Sequence, residues 1–242
     1  MNRILLEASE LDAEGRARLA DRRAFHIVKE LKAVVGQRIR VGVIDGPPGA
    51  GVVETIADGS VVLACALGEP RIAPPRIDLL LALPRPKVMK RLWAPLASLG
   101  VGRVILTNAA KVERQYFDTH VLKPESYRPL LIEGLQQAGD TRLPRVRICR
   151  QLKPFIEDEL DGLFPGAVRL VADPSARRRI ADVAFGSAGR VLIAVGPEGG
   201  WNDFELELLA AHGFAGVSMG CRTLRTDVAC IALLALITER LA

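Results

Sequence analysis

Near its C-terminal end the sequence RVLIAVGPEGGWNDFELELLAAHGF (190–214) places a glycine-rich turn between an apolar run and a run of helical spacing, with a carboxylate, Glu198, at its centre. Glycine-rich turns at strand ends commonly gather phosphate, because backbone N–H groups and a following helix N-terminus favour negative charge. Glu198 opposes that use, since a carboxylate at contact distance repels a phosphate. Neither G-x-G-x-x-G nor G-x-x-x-x-G-K-[ST] is present. A ligand without phosphate, carrying hydroxyls and a positive centre, suits the turn better, and S-adenosylmethionine meets that description. Taken alone, the turn reads more readily as an ordinary Gly-Pro turn with an exposed Glu.

The next segment, GVSMGCRTLRTDVACIALLALITERLA (216–242), reads as a strand, a loop and a long apolar helix. VLIAV before Gly196 reads as a buried strand, and ligands of open α/β sheets collect beyond the carboxyl ends of strands, so two such loops are expected side by side. Asn202 and Glu205 have capping-box spacing, and Phe204, Leu206, Leu208 and Leu209 are expected on the apolar face of the first helix. In the second loop Arg222 and Arg225 supply positive charge, and Thr226 or Asp227 is expected to cap a helix beginning at about Val228. That helix is apolar nearly all round, which suits a buried helix or half of a subunit interface. Ile231, Leu233, Leu234, Leu236 and Ile237 carry the expectation of a homodimer.

These loops need strands to position them. From about Ile77 onward IDLLLALP, VGRVILTN, AVRLVADP, RVLIAVGP and GVSMG alternate with helical segments, among them KVMKRLWAPLASLG, which predicts a parallel α/β sheet with helices on both faces. Earlier, QRIRVGVIDG, GAGVVETIADG and SVVLACAL are short β-branched runs with turn residues at the joins, reading as a small sheet or barrel with DGPPGAG as a hairpin turn. RRAFHIVKELKAVVG has Ala24, Ile27, Val28 and Leu31 at helical spacing, so one short helix is expected, ending at Gly36. The proline-rich GEPRIAPPR (68–76) is the expected domain boundary.

With 242 residues, 49% of them hydrophobic, the chain can bury a sizeable core. The first dozen residues hold no apolar stretch of signal-peptide length and the longest apolar run, VACIALLALI (228–237), is too short to cross a bilayer, so a soluble, cytoplasmic protein is expected. Cys65, Cys149, Cys221 and Cys230 are scattered, as are His26, His120 and His212, which argues against a disulfide framework and against a metal site. The net charge of +5 is modest. Its clusters, PRPKVMKR (84–91), TRLPRVRICRQLK (141–153) and RRR (177–179), suit a phosphate-backbone partner such as RNA, with Lys87, Arg142 and Arg222 as candidate contacts.

LIAVGPEGGW followed by MGCRTLRTDVACIALL resembles the paired C-terminal signature of the RsmE-type ribosomal RNA uridine-N3 methyltransferases of the SPOUT superfamily. That family usually reads G-P-E-G-G, then L-G-x-R-x-L-R-x-E-T-A; here Met219 replaces Leu and TDVA replaces TETA. HIVKELKAVVGQRIRVGVIDG is similar to the family's PUA-like barrel. Asp140 stands where the family tends to have Arg, and Pro95 and Ser98 where it tends to have Lys and Glu. The resemblance implies a PUA-like RNA-binding β-barrel over 1–72 and a SPOUT methyltransferase domain over 73–242, α/β with a knotted parallel sheet.

It further implies S-adenosylmethionine as methyl donor and a homodimer that completes the site. The donor would lie against Ala172, the run Val195, Gly196, Pro197, Glu198, Gly199 and Gly200, and then Met219, Gly220, Leu224 and Thr226. The expected reaction is methylation of uridine N3 in the 16S ribosomal RNA of the small subunit. Arg225 is the candidate for stabilising charge on the uracil ring and Glu198 for binding the donor or assisting proton removal. Two competing readings are an RNA-binding module without turnover, motivated by Asp140, Pro95 and Ser98, and a SPOUT methyltransferase acting on tRNA or another rRNA atom.

Overall fold

The computed structural model describes residues 3–69, 75–186 and 189–241. The chain divides into two compact units, Met1–Ala73 with Ile132–Leu143, and Pro74–Leu131 with Pro144–Ala242. The split expected between residues 72 and 73 lies outside the described residues, and residues 132–143, which that split assigns to the second domain, join the first unit. Hydrogen bonds hold them there. Asp45 N–H donates to the Thr141 carbonyl (2.7 Å), Thr141 Oγ1 to the Gly46 carbonyl (2.8 Å) and Leu143 N–H to Asp45 Oδ1 (2.8 Å). Asp140, the departure from the family pattern, accepts from Thr141 N–H at 2.7 Å and so shapes this segment.

The first unit is a five-stranded sheet of β1 (Ile4–Leu6), β2 (Arg16–Leu19), β3 (Arg38–Val43), β4 (Pro48–Ala57) and β5 (Ser60–Leu67) in the order β1-β3-β4-β5-β2. β1 runs parallel to β3 and the other pairs are antiparallel. Alternation drives it: in β2 Arg16 and Arg18 face solvent while Ala17 and Leu19 enter a core shared with Leu6, Val41, Val53 and Leu63. Asp58 (φ +50°) and Gly59 (φ +74°) form the two-residue β4–β5 turn, the left-handed pair that a tight hairpin demands. The β3–β4 hairpin forms as expected. The barrel is a curled mixed sheet instead of a closed one, because β1 and β2, of three and four residues, stand at its two edges.

The expected helix is shorter than its pattern. α1 (Arg22–Phe25) continues into a π turn (His26–Glu30) and stops at Lys32 (φ +50°), short of Gly36. Ala33 N–H then bonds the Ile27 carbonyl, so Ala33 enters the core and Leu31 is left exposed.

The second unit contains β6 (Ile77–Ala82), α2 (Pro86–Ser98), β7 (Val101–Thr107), α3 (Pro124–Ala138, whose residues from 132 on belong to the first unit), β8 (Arg145–Cys149), α4 (Leu152–Pro154), α5 (Leu160–Leu163), β9 (Val168–Ala172), β10 (Val191–Val195), α6 (Asp203–Ala211), β11 (Ala215–Val217) and α7 (Thr226–Leu241). Its sheet is entirely parallel, in the order β11-β9-β10-β6-β7-β8. The chain steps outward from β6 to β7 and β8, then returns to lay β10 against the other side of β6. The strand order therefore reverses at the β6–β10 seam, where open α/β sheets leave a crevice beyond the carboxyl ends.

Both seam strands are wholly buried, as their unbroken apolar runs require. The exception is Asp78 of β6, fully buried, whose two carboxylate oxygens accept from Nε and Nη2 of Arg190, the residue before β10. Gly102 of β7 makes room for it: a Cβ there would lie 3.1 Å from Asp78 Oδ1 and 2.6 Å from Pro75 Cβ.

α7 starts at Thr226, two residues before the expected start. It packs on α2 and across β6 and β10, burying Leu233, Leu234 and Ile237, while Val228, Ile231 and Leu236 remain 40–47% exposed. Its apolar circumference is thus a buried face and an open one. Among the described residues no helix is long and apolar enough to cross a membrane.

Removing one member of a buried ion pair strands the other charge in low dielectric. Arg190→Ala should destabilise the protein by about 3 kcal/mol, the low end of the range for such pairs because Arg190 is one-third exposed. Asp78→Leu with Arg190→Met should recover much of that loss. Urea midpoints of the three proteins check this; equal midpoints for wild type and Arg190→Ala would refute it.

Candidate active site

The carboxyl ends of β9, β10 and β11 and the first turns of α7 enclose a cleft of about 160 Å³. Ala172 closes β9, Val195 closes β10, and the two loops expected side by side in the sequence form opposite walls. Ala172, Val195, Gly196, Pro197, Glu198, Gly200, Met219, Gly220, Leu224 and Thr226 all line the cleft. Gly199 does not. Its outer side is covered by Lys111, whose Nζ donates to the Gly199 carbonyl at 2.7 Å and whose Cδ would sit 2.7 Å from any Cβ at that position.

The local conformation explains the carboxylate in the turn. Gly200 N–H donates to the Pro197 carbonyl (2.8 Å), which makes Glu198 and Gly199 the corners of a β-turn. Glu198 consequently projects outward, exposed, with Oε1 accepting the backbone N–H of Arg85 at 3.2 Å. Charge at this corner stays in contact with water, so its desolvation penalty is small. Gly196 is required by close approach: a Cβ there would meet the Trp201 backbone nitrogen at 3.1 Å and its ring at 3.2 Å. Gly220 has φ +113°, a conformation that side chains resist.

A buried carboxylate fixes the loop from behind. Asn202 and Glu205 form the capping box of α6, Oδ1 of Asn202 accepting from Glu205 N–H (2.8 Å) and Oε2 of Glu205 from Asn202 N–H (2.9 Å). The other oxygen of Glu205 accepts from Ala110 N–H at 2.6 Å, tying the start of α6 to the segment after β7. Leu208 and Leu209 are buried as expected and Leu206 lines the cleft, but Phe204 is exposed. Glu205 takes its place inside because its two backbone partners satisfy it.

The second loop is less enclosed. Thr226 is buried at the cleft wall, and its hydroxyl has no protein partner among the described residues. Arg222, expected as an RNA contact, lines the cleft. Arg225 does not line it: the side chain is 72% exposed, with its Nε 3.8 Å from Asp227 Oδ1. Asp227 also accepts from Arg91 of α2 (2.9 Å). Burial pushes the Asp227 carboxyl up, but Arg91, the Val228 N–H and Arg225 together hold it below the usual carboxylate range. Lys87 is exposed in the first turn of α2, and Arg142 belongs to the first unit.

Sequence reading missed Lys111 and the Arg85 N–H, which hold the Glu198 turn, and Ala110, which holds the start of α6 through Glu205, all from elements about ninety to over one hundred residues away. The glycines in GPEGG were a signal that something packs closely there. What packs was not legible. Among the described residues, no group of three or more His, Cys, Asp or Glu could hold a metal ion.

Cleft chemistry follows from the lining. Its walls are mainly aliphatic and backbone, with Ser218, Thr223 and Thr226 as hydroxyls and two carboxylates, Asp173 and Glu198, against one guanidinium, Arg222, which suits a ligand with an apolar body, hydroxyls and a cationic centre.

Comparison with known proteins agrees with this chemistry. Residues 72–238 match the family model of the RNA methyltransferase domain. The chain is 31% identical to ribosomal RNA small subunit methyltransferase E of Treponema pallidum (strain Nichols), over 98% of this chain and 90% of that protein. It is 26% identical to the protein of the same name from Synechocystis, over 93% and 73%. Its fold matches the crystal structure of ribosomal RNA small subunit methyltransferase E from Neisseria gonorrhoeae bound to S-adenosyl methionine, with a TM-score of 0.78, 19% identity and 99% and 97% of the two chains covered. With the family model spanning most of the chain and the Treponema relative matching nearly all of it, this chain belongs to the ribosomal RNA small subunit methyltransferase E family.

Proposed function

We propose that the protein transfers a methyl group from S-adenosylmethionine to N3 of a uridine in the 16S ribosomal RNA of the small subunit, working as a cytoplasmic homodimer. The single observation that carries this reading is the convergence of GPEGG and MGCRTLRTD on one cleft at the carboxyl ends of β9, β10 and β11. The relatives' names supply the substrate, and the resemblance of the paired signature supplies the uridine nitrogen. The return of the chain from edge strand β11 to the middle of the sheet, where α7 crosses β6 and β10, supports a trefoil-knotted C-terminal path.

The donor, when bound, supplies an electrophilic methyl group on a sulfonium. Backbone at Val195, Gly196, Met219 and Gly220 would hold it, Thr226 offers a hydroxyl, and Glu198 sets a negative charge beside the positive centre. The aliphatic walls exclude water. Holding the reactants in line is worth ~7–11 kcal/mol in favourable systems. The remaining difficulty is electronic: uracil must lose its imide proton, which passes to water at the exposed rim, and negative charge spreads over the ring. Arg225 is the residue assigned to meet that charge.

Arg225 stands in solvent in one chain and immediately precedes the exposed Val228, Ile231 and Leu236 face of α7. Pairing two copies through that face would bury the open apolar surface and confine Arg225. Leu224, which lines the cleft and is also exposed, would be covered in the same step.

Calorimetry should detect binding of S-adenosylmethionine or its demethylated product to the protein, and small-subunit rRNA from cells lacking the gene should gain N3-methyluridine on incubation with protein and donor. Absence of both binding and product would sink the reading. Arg225→Ala should slow single-turnover methyl transfer by roughly 10²-fold with donor affinity little changed, as for loss of one donor to developing charge. Glu198→Gln, which keeps an acceptor oxygen for the Arg85 N–H but removes the charge, should weaken donor binding at least as much as turnover. A near-normal rate for Arg225→Ala, or equal losses of affinity and rate, would assign it a structural role.

Light scattering should report a dimer, and Ile231→Asp should shift it to monomer while leaving the melting transition nearly in place. Leu234 and Ile237 are core residues, so charges there would test folding instead. A monomeric wild type removes the dimer from the proposal.

A further inference from the structure

A second cavity opens at the carboxyl edge of the same parallel sheet, on the far side of β6 from the cleft. It measures about 340 Å³ and is lined by Asn108, Arg114, Phe117, Arg150 and Gln151, residues that follow β7 and β8. With strands roughly 4.8 Å apart, the ends of β7 and β8 lie about 10 and 14 Å along the edge from β10. A polymer running along that edge would meet the cleft and this cavity in turn.

The lining is cationic and amide-rich. Arg114 is exposed and its guanidinium has no partner among the described residues. Arg150 is fixed: its guanidinium lies 5.5 Å from the centre of the Phe117 ring and donates from Nη2 to the Phe117 carbonyl (3.3 Å) and to Asp118 Oδ1 (2.9 Å). Most of its five donors remain available. The neighbouring carboxylates are already engaged, Asp118 by Arg150, and Glu113 by the Tyr116 hydroxyl (2.7 Å) and the Gln115 amide (2.6 Å). At the end of β7, Thr107 Oγ1 and Asn108 Oδ1 are buried without a hydrogen-bond partner. Gln151 precedes α4, yet its side chain makes no capping bond.

Two guanidinium groups lining a cavity recognise phosphate, a held Arg–Phe pair offers a plane for a base, and the Gln151 carboxamide supplies a donor and an acceptor for a base edge. We infer that this cavity holds a nucleotide neighbouring the target in the ribosomal RNA strand, with Arg114 and Arg150 on its phosphate and Gln151 at its base. The inference rests on the proposed rRNA methyltransferase activity and adds to it where the substrate strand runs. Its distance from β10 separates it from the target base, which must meet the donor in the cleft.

The test uses an unmodified small-subunit rRNA fragment that the full-length wild type methylates, with affinity measured by filter binding across a salt series and donor affinity by calorimetry. Arg114→Ala should weaken RNA binding about fivefold or more and reduce the magnitude of the salt slope by about 0.7–0.9, the value for one phosphate contact. Donor affinity should stay at the wild-type value. Arg114→Lys should restore the slope and only part of the affinity, because a lysine lacks the planar fork. Lys123→Ala, which removes an exposed cation outside this lining and outside the three basic clusters, should change neither quantity. If Arg114→Ala binds RNA with wild-type affinity and slope, or if Lys123→Ala reproduces its loss, the inference is overturned while the activity stands. A wild type that neither binds nor methylates any rRNA fragment overturns the activity, and the inference with it.

Discussion

Asp78 and Arg190 join strands that are neighbours in the sheet but 112 residues apart in the chain. Their pairing at the foot of the β6–β10 seam is what the methyltransferase unit is arranged around. A fully buried carboxylate tolerates β10 in one register only, because a slip of one residue would move Arg190 off it and turn every apolar side chain of β10 to the other face. Register at the foot sets the height at which Val195 emerges at the top. It thereby sets where Gly196 and the turn after it stand relative to Ala172 and Val217.

From that fixed height the loops are shaped by packing more than by hydrogen bonds of their own. Trp201 closes on Gly196, Lys111 covers Gly199, and Glu205 ties α6 to the segment after β7. The Lys111 and Glu205 contacts tie the turn and the helix after it to the segment following β7, and neither uses a residue that lines the cleft. The loop is therefore held from outside, leaving its backbone toward the cleft unspent. Preorganisation of this kind lowers the entropic penalty of binding, since a turn already held does not have to be ordered by its ligand.

Legibility in the sequence followed the range of the physics. Strands β6, β7, β9 and β10, helices α2 and α7 and the capping box of α6 were readable because their signals are local: continuous apolar runs, helical spacing, Asn202 three residues before Glu205. Most of the cleft was readable for the same reason, being two short loops with strong residue signatures. The short β1 and β2 were missed, since three or four residues carry too little pattern and owe their existence to β3 and β5. Helix α1 was overextended because its apolar spacing continues to Leu31, whereas the backbone turns at Lys32 to bring Ala33 inward. Residues 132–143 could not be assigned from sequence, since the bonds that place them run to Asp45 and Gly46. Phe204 and Leu234 show the same limit: periodicity identified apolar positions but not which of two possible faces each would take.

The exposed carboxylate of Glu198 and the exposed face of α7 bear on one another. A charge at a solvated turn corner acts on a ligand through a high effective dielectric, so its pull on a cationic centre is weak; in a drier site the same separation yields several times the interaction. Leu224 and the first turns of α7 border the cleft, and it is there that the helix keeps Val228 and Ile231 uncovered. A surface that packs on that face removes water from α7 and from the second loop of the cleft together. Apolar association and electrostatic selectivity for the donor would then be coupled: burial of α7 supplies the association energy, and the drier cleft that results makes the charges of Glu198 and Arg225 count. If that face is paired as proposed, a chain without its partner would have the shape of the site but only part of its field.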